Sequence, residues 1–429
     1  MESGNGFDPE NPYISLANSI KIQFKSLPPI SSACTICRVP DRLRLANEKA
    51  YTPQVVSIGP FHHGKDSLKT MEEHKMRYLE DYLQRTDESL ENYIKIVKES
   101  EPRLRSCYAE TIGFSSDEFV KIILVDSVFI IQVLLRFSIR ELRVERDPIF
   151  NRRWMLHDVW PDLCLLENQL PFFILEKIYE PNKIKLSSGQ TVDLSIIELS
   201  HKFFTKLMQL EGIEEKLEEI KRYNVAHVAD FLRNLYIPSN LRDGGEFQSI
   251  NAPSVTELHR AGVKFRVASS KNLFDISFNN GILEIPKLRI DDYSELIIRN
   301  LLAFEQCHYD DNYMNDYVAI MDRLVNIPKD VDLLVEHEIL ENWLGDSGEV
   351  ATLINKLAEG ATWSKDDFYF ADTFNNLNVY CRTRWHKWKA NLKQNYFNTP
   401  WAIVSVIAAI FLIILAIIQT VCSILQVEK

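Results

Sequence analysis

Glycine is scarce in this sequence, with 14 in 429 residues, about half of the roughly 7% usual in globular chains. A chain so poor in the residue that allows close backbone approach is not organised around glycine-rich nucleotide loops, and the deficit favours helices. Asn-x-Ser/Thr sequons are absent, and the first 30 residues carry Asp8, Glu10 and several prolines but no apolar signal core. The seven cysteines, at 34, 37, 107, 164, 307, 381 and 422, are odd in number and scattered. Several sit inside apolar runs such as Leu163 to Leu165, as buried thiols do, so a reducing, cytosolic setting is expected. Internal repeats and low-complexity tracts are also missing.

What is present is a substantial apolar fraction, 46%, beside 25% charged residues, enough to bury a core. The net charge is -11, yet Arg382, Arg384, Lys387, Lys389 and Lys393 cluster in one stretch without an acid. The rest is therefore strongly acidic. Phosphate contacts need a basic stripe, so general nucleic-acid binding is excluded.

From Trp401 the chain runs without a charge to Gln426. Twenty-five helical residues reach about 37 Å against a hydrocarbon core of about 30 Å. This predicts a transmembrane helix over 400–425, with Trp401, Ile410, Leu415 and Leu425 along it and a short tail at 426–429. The basic flank places the body in the cytosol by the positive-inside rule. Arg384, Trp385, Lys387, Trp388, Lys389 and Lys393 are expected to form an interfacial anchor against anionic lipid.

The body, 34–395, follows a flexible segment at 1–33 and reads as helical. Val55 to Ile58 reads as a short strand, followed by a helix from about Leu68. Ser115 to Glu118 forms a capping box opening a buried helix through Phe137. Asp162 to Tyr179 is expected as one helix kinked at Pro171, with Asn168 and Gln169 satisfying the freed backbone groups. The polar stretch 237–253, centred on Asp243-Gly244-Gly245, marks a mobile loop or subdomain boundary. Ser254 and Glu257 cap another helix that Gly262 ends. Asn279-Asn280-Gly281 sits between alternating runs and predicts a hairpin within a small β-meander near 264–291. Asp292 and Glu295 open a further helix, with Glu295 and Arg299 paired at i,i+4.

Complete catalytic or metal-binding sets are lacking, and no cofactor is expected. Gly59 to Asp66 has phosphate-loop spacing, but Pro60 removes an amide donor and Asp66 stands where a hydroxyl belongs. His62 and His63 have no further metal ligands nearby, and Cys34-x-x-Cys37 has no second pair. Cys307 and His308 are adjacent on a helix and point about 100° apart, so they do not face each other as nucleophile and base.

Taken in order, Cys37 to Pro40, IGPFHHG at 58–64, MEEHK at 71–75, LENQLPFF at 166–173, PSVTEL at 253–258, GVKF at 262–265, LEIPKL at 283–288, NLLAFEQC at 300–307 and Pro400-Trp401 resemble a large plant family known as domain of unknown function 247. Cys37 stands where many members carry Tyr, so the Cys34/Cys37 pair is not a family site. The resemblance implies a membrane protein with one C-terminal span and no established enzymatic activity; some grass members are proposed to act in pollen self-incompatibility. The expected fold class is mainly α with the small β-meander and the C-terminal span. The expected function is a membrane-tethered recognition or scaffold protein in plant signalling or self-recognition, its partners the bilayer and another protein. The alternative is an enzyme, either a nucleotide hydrolase using the 59–66 loop or a thiol enzyme using Cys307. Whether His62, His63, Glu167 and Glu305 converge is a question for the fold.

Overall fold

The computed structural model describes residues 13–26, 34–145, 147–186, 189–210, 214–238, 243–248, 253–309, 311–382 and 400–427. Helices follow one another in the order α1 Ile14–Ser26, α2 Asp41–Arg44, α3 Lys69–Thr86, α4 Leu90–Ser106, α5 Ser116–Ser138, α6 Arg153–Asp162, α7 Phe172–Ile178, α8 Ile196–Leu207, α9 Glu214–Ile220, α10 Val228–Tyr236 and α11 Val255–Arg260. Strands β1 Lys264–Val267, β2 Ser277–Asn279, β3 Ile282–Ile285 and β4 Leu288–Ile290 come next. The chain continues through α12 Ser294–His308, α13 Tyr313–Leu324, α14 Pro328–Glu336, β5 Leu340–Asn342, α15 Ser347–Ala358, α16 Ala371–Arg382 and α17 Pro400–Val427.

The hub of the first half is α5. Its apolar residues run all round the helix, and every side chain from Ile122 to Arg136 is buried, which a helix can satisfy only by being enclosed. It is enclosed by α3, α4, α7 and α8. The expected capping box starts it: Ser115 Oγ accepts from the Glu118 amide and Glu118 returns a bond to the Ser115 amide. Boxes of the same kind start α8 at Ser195 and α11 at Ser254. In the second half α12, α13 and α15 pack together, α14 packs on α15 and on β5, and α16 packs on β2. Glu295 pairs with Arg299 at 2.8 Å as expected.

The predicted hairpin is present. β2 and β3 pair antiparallel across Asn280 and Gly281, whose φ angles of 51° and 77° are those of a two-residue I′ turn. The surrounding meander is not: β1 pairs parallel with β3, giving the order β1-β3-β2, and β4 pairs parallel with β5. Gly262, at φ 88°, ends α11 as its residue type requires. Residues 55–58 are not a strand, because the amides at 54, 55 and 56 all donate to the Asp162 carboxylate. The 237–253 stretch is held in its described part, where Gly245 pairs with Phe368 and Phe247 is fully buried.

Two further expectations need correcting. Asp162 to Tyr179 is not one kinked helix: α6 ends at Asp162, and α7 begins only after Pro171. The segment between them is irregular and buried. Asn168 and Gln169 make this possible by donating to the carbonyls of Val56, Asp162, Leu163 and Leu165.

The second correction concerns the C-terminal span. Pro400–Val427 does form one helix, and its described apolar side chains, Ile410 and Leu415 among them, are exposed. Among the described residues, however, no helix is long and apolar enough to cross a membrane. The transmembrane assignment of Trp401, Ile410, Leu415 and Leu425 is therefore not upheld, and neither is the single-span part of the fold class. The side chains of Trp401 and Leu425, and the expected anchor Arg384, Trp385, Lys387, Trp388, Lys389 and Lys393, lie outside the described residues.

Candidate functional site at the junction of the sequence motifs

The short motifs that stand far apart in sequence meet around the segment between α6 and α7. Glu167 is at the centre, its side chain 1% exposed. The Val39 amide donates to its Oε1 at 2.6 Å, Arg44 binds the same oxygen, and Arg38 reaches Oε2 at 3.3 Å. His62 Nε2 stands 3.5 Å from Oε2, too far for a well-formed hydrogen bond but close enough for electrostatic attraction. Burial alone would raise the pKa of Glu167, yet the approach of His62, the Val39 amide and Arg44 outweighs it and holds the carboxyl down at about 2. Burial pushes His62 below its ordinary value, against the pull of Glu167. The arginines are the cations of this site.

Neighbouring ties are of the same kind. Asn168 accepts from the Ile58 amide at 2.7 Å, and Asp126 accepts from the Gly59 amide at 2.8 Å. Lys75 reaches both Ser57 O and Asp126. Asn300, on α12, accepts from the Leu166 amide and donates to Ala50 O. These are charged and amide side chains closing on backbone groups, which is how an irregular buried segment is stabilised. The phosphate-loop reading fails on the same evidence, since the Gly59 amide already engages a carboxylate. A phosphate placed there would meet Asp126.

Of the four residues in question, His62 and Glu167 come together and the others do not. His63 lies with its ring edge-on to Phe114 at 5.7 Å. Glu305 is held by Arg233 at 3.1 Å and by the amide and side chain of Asn315, and none of these groups touches Glu167. Sequence reasoning missed one contact entirely. Cys37 shares a hydrogen bond with Cys307, not with Cys34, within a small cluster that includes Val39, Leu166 and Phe304. That bond, then burial, pushes Cys37 up. The same bond lowers Cys307 against its burial, with Arg42 assisting. Among the described residues no group of three or more His, Cys, Asp or Glu is placed to hold a metal ion.

A cavity of about 520 Å³ lies elsewhere, walled by the ends of α6, α8 and α10, by β4, and by α12 and α13. Of its lining residues only Lys287 and Leu288 fall in one of the quoted motifs, and none was expected to form a site. Its indole and guanidinium, Trp160 and Arg289, are 129 positions apart, and no local pattern connects them.

Comparison with known proteins matches residues 36–415 to a family model, DUF247, described as a plant protein of unknown function. The chain is 31% identical to UPF0481 protein At3g47200 of Arabidopsis thaliana over 423 residues, covering 92% of this chain and 87% of that one. It is 24% identical to putative UPF0481 protein At3g02645 of the same plant over 477 residues, covering 90% and 89%. No solved structure matches.

Proposed function

Since this chain belongs to the DUF247 family of plant proteins of unknown function, we propose from its own geometry that it is a recognition or scaffold protein that docks a protein partner through α1, in plant cell signalling or self-recognition. The observation that carries this reading is the exposure of α1. Tyr13 just before it is 74% exposed, and Leu16, Ile22 and Phe24 on it are 62%, 68% and 65% exposed. Large apolar side chains gathered on one short helix mark an interaction surface, and an amphipathic helix laid into a partner's groove is a common mode of recognition. The acidic balance of the chain favours a partner with a basic rim over nucleic acid.

The buried acids support the same reading from the other side. Glu167, Asp126 and Asp162 are each engaged by backbone amides or by cations of the fold, so their work is to hold the body together. The test is a photo-reactive amino acid at Leu16 or Ile22 in plant cells. The expected result is a discrete protein adduct that recurs between replicates and is lost when Tyr13, Leu16, Ile22 and Phe24 are all changed to Ser. Diffuse or exclusively lipid adducts from a folded protein would overturn the proposal.

A further inference from the structure

The cavity bounded by α6, α12, α13 and β4 is built for a ligand that accepts hydrogen bonds. At about 520 Å³ it falls within the range of roughly 300–1,000 Å³ typical of small-molecule sites. Its body is apolar and aromatic: Trp160, Tyr293, Met314 and Tyr317 line it, with Tyr293 edge-on to Trp160 at 4.8 Å. Two N–H donors of its walls have no partner, Trp160 Nε1 and Arg289 Nε, and both are screened from bulk water. The Trp160 side chain is 1% exposed. A buried donor left unpaired costs about 1–3 kcal/mol, and native structures rarely keep two on residues lining one cavity without a use for them.

The acids of the wall do not reach these two donors and are turned to other partners. Asp291 binds the far end of Arg289 at 3.2 Å, Glu341 binds Lys287, and Asp275 accepts from Ser270. The guanidinium also stacks 4.1 Å over Trp343, which fixes its plane, and its Nε–H is buried without a partner. A charged donor prefers a charged acceptor, and guanidinium suits carboxylate above others.

We propose that this cavity binds a small amphipathic monocarboxylate, its aryl or alkyl body against Trp160, Tyr293, Met314 and Tyr317 and its carboxylate accepting from the indole and guanidinium N–H groups. The proposal is independent of the docking surface on α1. A panel of aryl and medium-chain alkyl monocarboxylates, each with its matching primary alcohol, tests it by ligand-observed NMR and calorimetry on the full-length chain. Saturable binding of carboxylates is expected, at least tenfold tighter than their alcohols. Arg289→Met should weaken the acids at least tenfold and leave the alcohols nearly unchanged, and Ile298→Trp, which fills the cavity, should abolish both. Thermal melts of the two variants establish that they fold. The proposal is overturned if no carboxylate of the panel binds, if alcohols match their acids, or if acids still bind the folded Ile298→Trp protein. A wall donor satisfied by a trapped water, with no organic ligand, corresponds to the first of these results.

Discussion

The Lys75 ammonium lies 2.5 Å from Asp126 Oδ1, with both side chains withdrawn from water. Lys75 also bonds Ser57 O at 2.8 Å and pairs with Glu72 on its own helix, while the second Asp126 oxygen takes the Gly59 amide. One ion pair thereby joins α3, α5 and the loop before α3.

Removing Asp126 leaves the buried Lys75 ammonium only Glu72 and Ser57 O and takes the acceptor from the buried Gly59 amide, and breaking a buried pair in this way costs about 3–5 kcal/mol. Asp126→Ala should lower the free energy of unfolding by that amount in urea titrations. The double variant Lys75→Met, Asp126→Leu should recover most of it, because the penalty lies in the orphaned charge and not in the absence of the pair. If the double variant is as unstable as the single, the pair itself is what stabilises the junction.

Glu167 gives the fold a defined acid sensitivity. Its folded value of about 2 lies below the ordinary carboxylate value of roughly 4.3. A lowered acid stabilises the folded state above its unfolded value, and that contribution is lost as pH falls from about 4.5 towards 2. The size is on the order of 3 kcal/mol at neutral pH. Glu167→Gln should lose most of this at pH 7, and its gap to wild type should narrow to roughly half by pH 3, as read from urea midpoints at the two pH values. A constant difference between the two proteins across that range would show that Glu167 is not held ionised by its neighbours.

The parts of this structure that were legible in the sequence are those governed by local rules. Ser115 with Glu118, Ser254 with Glu257, Gly262, and Asn280-Gly281 act within a few residues, and each does in the fold what its type and spacing imply. Pro171 signalled an interruption, but the nine-residue irregular segment before α7 depends on Asn168 reaching Val56 and Ile58, more than a hundred positions away. Glu167 was singled out with no partner tied to it by spacing, since its partners at 38, 39, 44 and 62 are assembled only by the tertiary fold. The charge-free C-terminal run was read as a span from its apolar character and length, but among the described residues no helix is long and apolar enough to cross a membrane. The parallel pairing of β1 with β3 was equally hidden, because alternation sets the face of a strand and not its neighbour.

Cys307 should react before Cys107 and Cys164. The hydrogen bond from Cys37 and the nearby Arg42 favour its thiolate, whereas burial pushes Cys107 up to about 11 and raises Cys164 further. Thiolate is the nucleophile, so iodoacetamide labelling followed by peptide mapping should find Cys307 modified at lower pH than Cys107 or Cys164. Cys37→Ala removes the donor and should shift the Cys307 profile to higher pH, while Cys37→Ser keeps a donor and should shift it less. An unmoved profile in Cys37→Ala would separate the two thiols.

Gly59 is the position at which the junction tolerates least. Its φ is 72°, and a Cβ added there would stand 2.6 Å from Gln169 O and 3.1 Å from the Tyr108 hydroxyl. The carbonyl cannot turn aside, because Tyr108 donates to it and the Gln169 side chain is itself tied to Leu163 O and Leu165 O. Gly64 makes the comparison: its φ is 84°, yet nothing lies within 4 Å of an added Cβ. Gly64→Ala meets only the left-handed backbone penalty, about 1–2 kcal/mol, whereas Gly59→Ala adds a clash with fixed backbone and should cost roughly 3 kcal/mol or more. Urea unfolding of the two variants measures the difference directly. Equal losses would mean that the contact with Gln169 relaxes freely, and that the segment between α6 and α7 is not the rigid centre of the fold.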